Sequence, residues 1–363
     1  MKRFQSIIVV AMFLCLSSMM VYSLESTRTL KKEIPASGAF AIENLAGSMK
    51  VLPGDVSVVQ VTATVHAENA EVAGKISLEQ VRNDKGVSTL RVHYPIEEYR
   101  SIRYPSSRRE EETGGFLADL FGGNNSEIEY DHHKVRVSST KGVLLYVDVE
   151  VSVPRRSVEG AFYNHVGKLT GEGIEGTLLF DTASADVTVS KIRGDVTVDV
   201  GSGDVDAASI EGNLHIDTGS GDCQVDNFNG QTASLDTGSG DIKIHSATGR
   251  RIAADTGSGD VIVQQADVEE FKADTGSGDV EFTSSGNRLR TISADTGSGD
   301  VTLHLGPDAT FEAMADQGSG DLTSRYQDAQ PIIEDREVVG YRRGDSKIHI
   351  DVETGSGDCV ITP

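Results

Sequence analysis

The sequence contains no tryptophan, and aromatic residues make up only 6% of its 363 positions. Its hydrophobic share of 37% is low for a compact globular protein, whereas glycine is frequent at 39 residues. A chain of this length forms one or two domains by the usual prior. The composition disfavours a thick core and suits a solenoid, whose core is one side chain deep beneath a large outer surface.

Basic residues are in short supply, with 33 lysines and arginines against 56 aspartates and glutamates. The formal net charge is −23, and it becomes −25 without residues 1–23, which contain Lys2 and Arg3 and no acidic residue. This balance argues against nucleic acid or an anionic membrane as the partner. It favours solubility, association with cations, or a basic partner. The alternative is that the charge only solvates an extended surface.

Long apolar runs are absent after the N-terminus, so we expect no transmembrane span once the N-terminal segment is removed. That segment has a basic start, the apolar run Ile7–Leu16, and small residues at −3 and −1 in Val21–Ser23. We therefore predict a signal peptide over residues 1–23, and an exported chain in the periplasm, at the cell surface or outside the cell. An uncleaved anchor is the alternative, but the run is shorter than the about 20 residues of a span. Because Cys15 lies inside the run, lipidation is not expected.

The second half of the sequence is a repeat. A weak copy, Ala183–Asp186, precedes full GSGD strings that begin at Gly201, Gly219, Gly238, Gly257, Gly276, Gly297, Gly318 and Gly355. The closing aspartates are spaced by 18, 18, 19, 19, 19, 21, 21 and 37 residues. Loops absorb a drift of one or two residues, and 37 corresponds to two periods or to one coil with an insertion.

Around each GSGD string the hydrophobicity alternates with period two. Val261 and Val263 follow one string and Ile252 and Ala254 precede it, with mostly polar residues between the apolar ones. Identical columns at a period of about 19 favour parallel stacking over a hairpin meander. We therefore predict an all-β fold, with a parallel β-solenoid of about 19 residues per coil over residues 161–363. The general crossover preference makes it right-handed.

The corner glycines have a backbone explanation, since a tight corner needs positive φ, which glycine adopts freely. We expect Gly257 or Gly259 to adopt it, with serine and aspartate accepting local backbone hydrogen bonds. A looser return through segments such as 264–270 completes each coil. Cys223 and Cys359 share one inward column at least six coils apart, or about 29 Å. That is too far for a disulfide, so both are predicted to be small core residues.

Residues 24–160 carry longer strands without the repeat and form a β-rich N-terminal region. The clearest strands are Val56–His66, Ser88–Tyr94 and Val143–Val153. The polar stretch 97–133 is predicted to be a mobile surface insertion.

The segment Val147–Arg155, which reads VDVEVSVPR, resembles a strand followed by Val-Pro and a basic residue in bacterial proteins of the DUF4097 family. In that family, as here, Ser-Gly-Asp-hydrophobic coils follow it. The late segment Val338–Asp345, with a return to GSGD over Lys347–Asp358, is similar to the family's closing coils. The resemblance covers most of residues 35–362. It implies a β-strand repeat fold and an exported protein of a group often labelled adhesins, but it implies no ligand.

Two columns of carboxylates flank the GSGD corner. One is the closing aspartates, and the other is Asp199, Asp217, Asp236, Asp255, Asp274, Asp295, Asp316 and Glu353. Carboxylates about 4.8 Å apart repel by roughly 0.9 kcal/mol per pair in water. Hydrogen bonds at the turn or divalent cations can offset this repulsion. Calcium is therefore a ligand to consider, although calcium-binding β-rolls have a nine-residue period.

A column repeated in every coil does not single out a catalytic, cofactor-binding or metal site, so we predict none. His132 and His133 beside Asp131 are a candidate metal site, but a solvated loop explains them better. No Ser-His-Asp arrangement has a supporting context, and GSGD lacks the Lys-Ser/Thr of a phosphate loop. Thr-x-Ser pairs such as Thr256 and Ser258 repeat as on some ice-binding solenoids, but they lie at a glycine corner rather than on a flat strand face.

The sequence therefore favours a non-enzymatic exported interaction or scaffold protein of the cell envelope or surface, with a protein or glycan partner. An envelope stress sensor or accessory protein acting through the N-terminal region is the alternative. A calcium-binding repeat protein or a β-helix polysaccharide-active enzyme is less favoured.

Overall fold

The computed structural model describes residues 25–83, 86–105 and 125–363, and regular structure in these ranges is β-strand apart from one short helix. The all-β prediction is confirmed. The predicted signal peptide, residues 1–23, lies outside the described residues, and so do residues 106–124 of the predicted insertion.

The N-terminal part of the described chain contains ten strands and the helix α1. Their bounds are β1 (Ser26–Ile34), β2 (Phe40–Ala46), β3 (Met49–Gly54), β4 (Val59–Ala67), α1 (Ala70–Gly74), β5 (Ser77–Arg82), β6 (Ser88–His93), β7 (Ser101–Arg103), β8 (Asn125–Tyr130), β9 (His133–Ser138) and β10 (Val143–Pro154).

The remaining strands belong mainly to two parallel stacks, which we call sheet 1 and sheet 2. Sheet 1 contains β11 (Val158–Val166), β13 (Gly176–Thr182), β15 (Val196–Val200), β17 (Leu214–Thr218), β19 (Thr232–Thr237), β21 (Arg251–Thr256), β23 (Glu270–Thr275), β25 (Thr291–Thr296), β27 (Phe311–Gln317) and β31 (Ile348–Thr354). Sheet 2 contains β12 (Leu169–Glu172), β14 (Val187–Arg193), β16 (Val205–Glu211), β18 (Cys223–Asn229), β20 (Ile242–Thr248), β22 (Val261–Asp267), β24 (Val280–Ser284), β26 (Val301–His304), β28 (Leu322–Ser324) and β32 (Cys359–Thr362). The hairpin β29 (Gln330–Glu334) and β30 (Glu337–Arg343) extends sheet 1 at its C-terminal end.

Each strand pairs in parallel and in register with its equivalent in the next coil, as predicted for a solenoid. Val261 lies opposite Ile242 on one side and Val280 on the other. The predicted inward columns are buried, with exposed fractions of 0% for Val261 and 1% for Ile244. The two sheets meet across a core one layer deep, in which the rings of Phe271 and Phe282 stack 4.4 Å apart.

The N-terminal strands continue the same stack. Strand β2 pairs in parallel with β11, and β3 pairs in parallel with β10 and β12, so residues 40–54 form the first coil. Strand β11 crosses residue 160, where the sequence suggested a boundary. Antiparallel strands cover this end, because β1 and β10 flank β4 beside sheet 2 and β5 pairs with β6 in sheet 1. Such caps protect an open sheet edge from further pairing.

The described ends of the predicted insertion, residues 97–105 and 125–133, contain regular structure where a mobile surface insertion was predicted. They include strand β7, strand β8, the start of β9 and connecting turns, and Ile102, Ile128 and Tyr130 are buried. The average polarity of this stretch concealed the period-two spacing of Ile128 and Tyr130, which is the signal of a half-buried strand.

The loose return predicted for residues 264–270 is also wrong, because β22 continues to Asp267 and β23 begins at Glu270. One residue near the end of five successive sheet 2 strands has a left-handed backbone with φ between 53° and 61°: Lys191, Ser209, Asn227, Ser246 and Gln265. This residue shifts the alternation of inward and outward side chains by one position. The side chain that follows it, such as that of Ala266, is therefore buried. Residues other than glycine seldom adopt this backbone conformation, and the sequence therefore did not indicate it.

The corner glycines are needed for space rather than for positive φ. Neither Gly257 nor Gly259 has a left-handed φ, so that prediction is wrong, and among the GSGD glycines only Gly203 and Gly221 have one, at 148° and 145°. A Cβ on Gly259 would lie 1.9 Å from the carbonyl oxygen of Gly240 in the preceding coil. Glycine therefore permits the close approach of one backbone to the next.

The last coil of the chain is not the last coil of the stack. Strand β31 lies between β25 and β27, and β32 lies between β26 and β28. The 37-residue spacing therefore reflects a coil placed out of order, with the hairpin β29–β30 in the connection. Cys223 and Cys359 are five coil spacings apart rather than at least six, or about 24 Å, which still excludes a disulfide.

We predict that Gly259→Ala lowers the free energy of unfolding by about 3 kcal/mol, because the new methyl group must push two coils apart. Gly74→Ala is the matched control, since a Cβ there meets nothing within 4 Å. The control is expected to be neutral or slightly stabilising. Denaturant titration of both variants measures the difference, and equal stability would contradict the stacking argument.

Candidate functional site

A threonine precedes six of the eight GSGD strings and closes the corner from the core side. Thr256 is 1% exposed, and its hydroxyl donates to the carbonyl of Gly240 at 2.9 Å and accepts from the N–H of Gly259 at 3.2 Å. Thr237, Thr275 and Thr296 make the same pair of bonds. Because these hydroxyls are buried, the Thr-x-Ser array is not an exposed ladder of the ice-binding kind.

The closing aspartates form a ladder of hydrogen bonds from coil to coil. The N–H of Asp260 donates to Asp241 Oδ1 at 3.0 Å, and the N–H of Asp279 donates to Asp260 Oδ1 at 2.8 Å. The same bond joins all the closing aspartates in their spatial order, namely Asp186, Asp204, Asp222, Asp241, Asp260, Asp279, Asp300, Asp358 and Asp321. The aspartate of GSGD thus satisfies the corner N–H of the following coil.

Asp148 begins this arrangement at the N-terminal end. Val149 in β10 is opposite Met49 in β3, so Asp148 and Ser48 occupy the same corner position in neighbouring layers. The N–H of Ser48 donates to Asp148 Oδ1 at 2.8 Å, as in the ladder. Lys168 takes the equivalent place in the second coil and interrupts the row of carboxylates.

A second row of carboxylates runs along the outer face of sheet 1, two positions before each GSGD string. Its members are paired in register from coil to coil: Asp181, Asp199, Asp217, Asp236, Asp255, Asp274, Asp295, Glu353 and Asp316. With about 4.8 Å per coil, the row is about 38 Å long. We call this row and the aspartate ladder together the acidic corner.

The pKa is shifted in opposite directions at one carboxylate of each row. Burial raises the pKa of Asp255, and the neighbouring charges of Asp274 and Asp236 raise it further. The pKa of Asp241 is lowered, because its carboxylate binds Lys243 Nζ and accepts the N–H of Asp260. Repulsion is therefore offset at Asp241 by Lys243 and by the N–H of Asp260, whereas at Asp255 the charges of Asp274 and Asp236 add to the effect of burial.

The acidic corner dominates the charge of the repeat half. Residues 161–363 contain 36 acidic and 14 basic residues, a net charge of −22 out of −25 for residues 24–363. Neighbouring carboxylates in a row lie within one Debye length of about 8 Å at physiological salt, so their fields add. Such a surface attracts cations and basic proteins.

One serine, one aspartate and one histidine do come together, at the N-terminal end of the corner. Ser48 Oγ donates to Asp148 Oδ1 at 2.7 Å, and Asp148 Oδ2 lies 3.1 Å from His66 Nε2. His66 Nδ1 contacts Glu25 at 2.9 Å. A hydrolytic triad needs the imidazole between serine and carboxylate, whereas here the carboxylate is between the other two. This order serves to anchor β4 and β10 to the first coil.

A half-buried ionic cluster holds the hairpin β8–β9 against sheet 1. Arg91 Nε binds Glu43 at 2.7 Å, its Nη1 contacts Asp131, and its guanidinium lies 5.7 Å from the ring of Tyr130. His165 Nε2 is 3.6 Å from Glu43. Burial raises the pKa of Glu43, but His165 and Arg91 outweigh burial, so the pKa is lowered. Sequence reasoning missed this cluster because its members come from four separate strands and one turn.

The other candidate chemistry is not assembled into a site. His132 and His133 are exposed at the hairpin turn, and Asp131 is directed at Arg91 instead. Across residues 25–83, 86–105 and 125–363, no three His, Cys, Asp or Glu side chains are grouped so that they could hold a metal ion. Burial raises the pKa of both Cys223 and Cys359 to about 12, so neither thiol is a nucleophile at neutral pH.

A cleft of about 450 Å³ lies at the return corner near the N-terminal end. Side chains of both charge signs line it, including Arg155, Glu175, Lys191, Arg193 and Glu211. Lys191 already binds Glu172 and Arg193 already binds Glu211, so the cleft presents no concentrated charge to a ligand.

No helix in the described part of the chain has the length and apolar character that a membrane crossing requires.

Comparison with known proteins identifies a family and similar solved structures. The family model Toastrack DUF4097 matches residues 122–362. None of the curated proteins compared with the sequence matches it. Three crystal structures resemble the chain at low identity. A "putative cell adhesion protein" from Clostridium sporogenes has 12% identity, 93% coverage of this chain and 99% of its own, and a TM-score of 0.21.

A "putative lipid binding protein" from Parabacteroides distasonis has 12% identity, coverage of 92% and 96%, and a TM-score of 0.39. A "putative adhesin" from Bacteroides fragilis has 9% identity, coverage of 93% and 97%, and a TM-score of 0.37. Identities and TM-scores this low say nothing about what the present chain binds.

Asp255 of the strand row and Asp241 of the ladder are expected to respond oppositely to neutralisation at pH 7. Asp255→Asn raises the melting temperature, because a raised pKa in the folded state means that ionisation disfavours folding. Asp241→Asn lowers it, because a lowered pKa means that the ionised form stabilises the fold.

Both effects shrink as the pH falls through about 4, where the wild-type carboxyls take up protons. The stabilisation from Asp241 is present above its unfolded-state pKa and is lost as the pH falls through its lower folded-state pKa. Melting curves from pH 3 to 7 test this, and shifts of the same sign at pH 7 would refute the distinction between these two carboxylates.

Proposed function

This chain belongs to the Toastrack family DUF4097, and we propose that it is an exported, non-enzymatic scaffold of the cell envelope or surface whose acidic corner binds a cationic protein. The observation that carries the proposal is the in-register strand row, which holds nine carboxylates on a rigid line about 38 Å long.

Rigidity makes this surface an efficient binding site for a basic partner. The backbone of each carboxylate-bearing strand is fixed by pairing on both sides, so binding orders little of the scaffold. Burial raises the pKa of Asp255, repulsion by Asp274 and Asp236 raises it further, and a bound cation relieves that repulsion. A cationic partner therefore gains from several neighbouring carboxylates at once, and the field also steers its approach.

The composition of the row favours a basic protein over a neutral glycan. From Asp181 to Asp316 the row contains only carboxylates, whereas carbohydrate and drug-like ligands use aromatic and apolar platforms with a few polar groups. Binding of calcium by the same rows stays a prediction.

The absence of a distinctive position within the acidic corner supports a non-enzymatic role. Each coil presents the same carboxylates, and catalysis needs an acid, a base or a nucleophile set apart from its neighbours. The contact among Ser48, Asp148 and His66 has the wrong order for serine activation. Export is supported by the basic, apolar and small-residue pattern of residues 1–23.

The test measures binding of a fluorescent ten-lysine peptide by anisotropy at several salt concentrations. The variant Asp236→Asn, Asp255→Asn, Asp274→Asn is expected to weaken binding about tenfold, or about 1.4 kcal/mol. The control neutralises three exposed strand carboxylates of the N-terminal part with the same change in net charge: Glu33→Gln, Glu129→Gln and Glu150→Gln. The control is expected to change the dissociation constant less than twofold.

Equal weakening by both triple variants would mean that net charge alone attracts the peptide, and it would overturn the proposed site. Weakening by the control variant alone would instead favour the alternative, an envelope sensor or accessory protein acting through its N-terminal region.

A further inference from the structure

The out-of-order terminal coil is explained by the residues of two competing segments. The segment Ile348–Thr362 has the full internal pattern, with Thr354 before GSGD and inward Cys359 and Ile361 after it. In the segment Phe311–Ser324, Gln317 pairs with Thr354 at the threonine position and Ser324 pairs with Ile361 at an inward position. The segment Phe311–Ser324, which matches the repeat pattern less well, therefore forms the coil at the end of the stack. Terminal repeats of solenoids commonly depart from the pattern in this way.

The place filled by Ile348–Thr362 is a slot with two complementary walls. One wall is β25 and β26, and the other is β27 and β28. The Asp358 N–H donates to Asp300 at 2.8 Å, and Asp358 accepts the N–H of Asp321 at 2.9 Å. A Cβ on Gly357 would lie 1.8 Å from the carbonyl oxygen of Gly299, so the packing is as tight as between internal coils.

The segment in the slot is joined to the solenoid by a short hinge, residues 344–347. The hinge is mostly exposed, and Gly344 and Ser346 have left-handed φ values of 64° and 52°. The hinge connects the segment to β30, the strand that precedes it in the chain. All the contacts of the segment with the slot would be the same if another copy supplied it.

We propose that the slot is an interaction site for a second copy of this chain, which supplies its own segment Ile348–Thr362 by reciprocal exchange. Exchange of an identical element between protomers costs little because each interface is reproduced in the dimer. The monomer dominates when the chain is dilute, and the exchanged dimer gains with chain concentration by mass action.

The experiment uses two full-length chains in which Cys15 and Cys223 are replaced by alanine. The first chain also carries Val301→Cys and Cys359→Ala, and the second keeps Cys359. Val301 is directly opposite Cys359 in the slot, and paired strands about 4.8 Å apart fall within the Cα distances of disulfides. The chains are unfolded together, refolded at high concentration and oxidised.

Exchange predicts a covalent heterodimer, made visible by different tags, whose yield rises with the concentration during refolding. The matched control replaces Val301→Cys by Val261→Cys, which has the same inward column position but is paired with Ile242 and Val280. The control is expected to give less than a tenth of the heterodimer.

If the first chain does not refold by circular dichroism, Leu322→Cys takes the place of Val301→Cys, since Leu322 is opposite Cys359 on the other wall. Monomers alone after refolding at high concentration would overturn the proposal, and so would equal heterodimer yield with the control.

Discussion

The structure depends on how closely the backbone of one coil approaches the next at the glycine corner. A Cβ on Gly259 or Gly278 would lie 1.9 Å from a carbonyl oxygen of the preceding coil, a distance that no side chain tolerates. This contact fixes the register of neighbouring coils, and register in turn aligns every other column. The buried threonines, the inward valines and isoleucines, and the two rows of carboxylates are all consequences of the same alignment.

Alignment has an electrostatic cost, and the corner compensates part of it. Stacked carboxylates repel, but each ladder aspartate accepts an N–H that would otherwise have no partner at the corner. In the strand row, burial raises the pKa of Asp255, and the charges of Asp274 and Asp236 raise it further without a compensating donor. A surface that holds uncompensated charge in a fixed line is suited to a cationic partner, and this is the physical basis of the proposed function.

The length of the repeat, the inward columns and the all-β fold could be predicted from the sequence. Apolar and polar residues alternate along each strand, and the GSGD string recurs about every 19 residues along the chain. The sequence did not predict the left-handed residue in each return, since Lys191 and Gln265 have no special preference for that conformation. The corner glycines were identified for the wrong reason, because φ is a local property whereas the clash involves another coil.

The order of the last coils and the ionic cluster at Arg91 were also beyond the sequence argument. Both depend on contacts between distant segments, although Ser324 and Gln317 in hindsight mark the outer coil. Of the candidate site, the sequence identified both carboxylate columns, but the ladder of N–H donors became visible only in three dimensions.

Amide hydrogen exchange with residue resolution tests the central claim, that hydrogen bonds continue from coil to coil through the exposed corner. The N–H groups of Asp222, Asp279 and Asp300 belong to exposed residues but donate to carboxylates of the neighbouring coil. The account predicts that they exchange as slowly as the N–H of Val261, which is bonded within the solenoid to the carbonyl of Asp279. Exchange of these aspartate amides at the rate of an unprotected loop would contradict it.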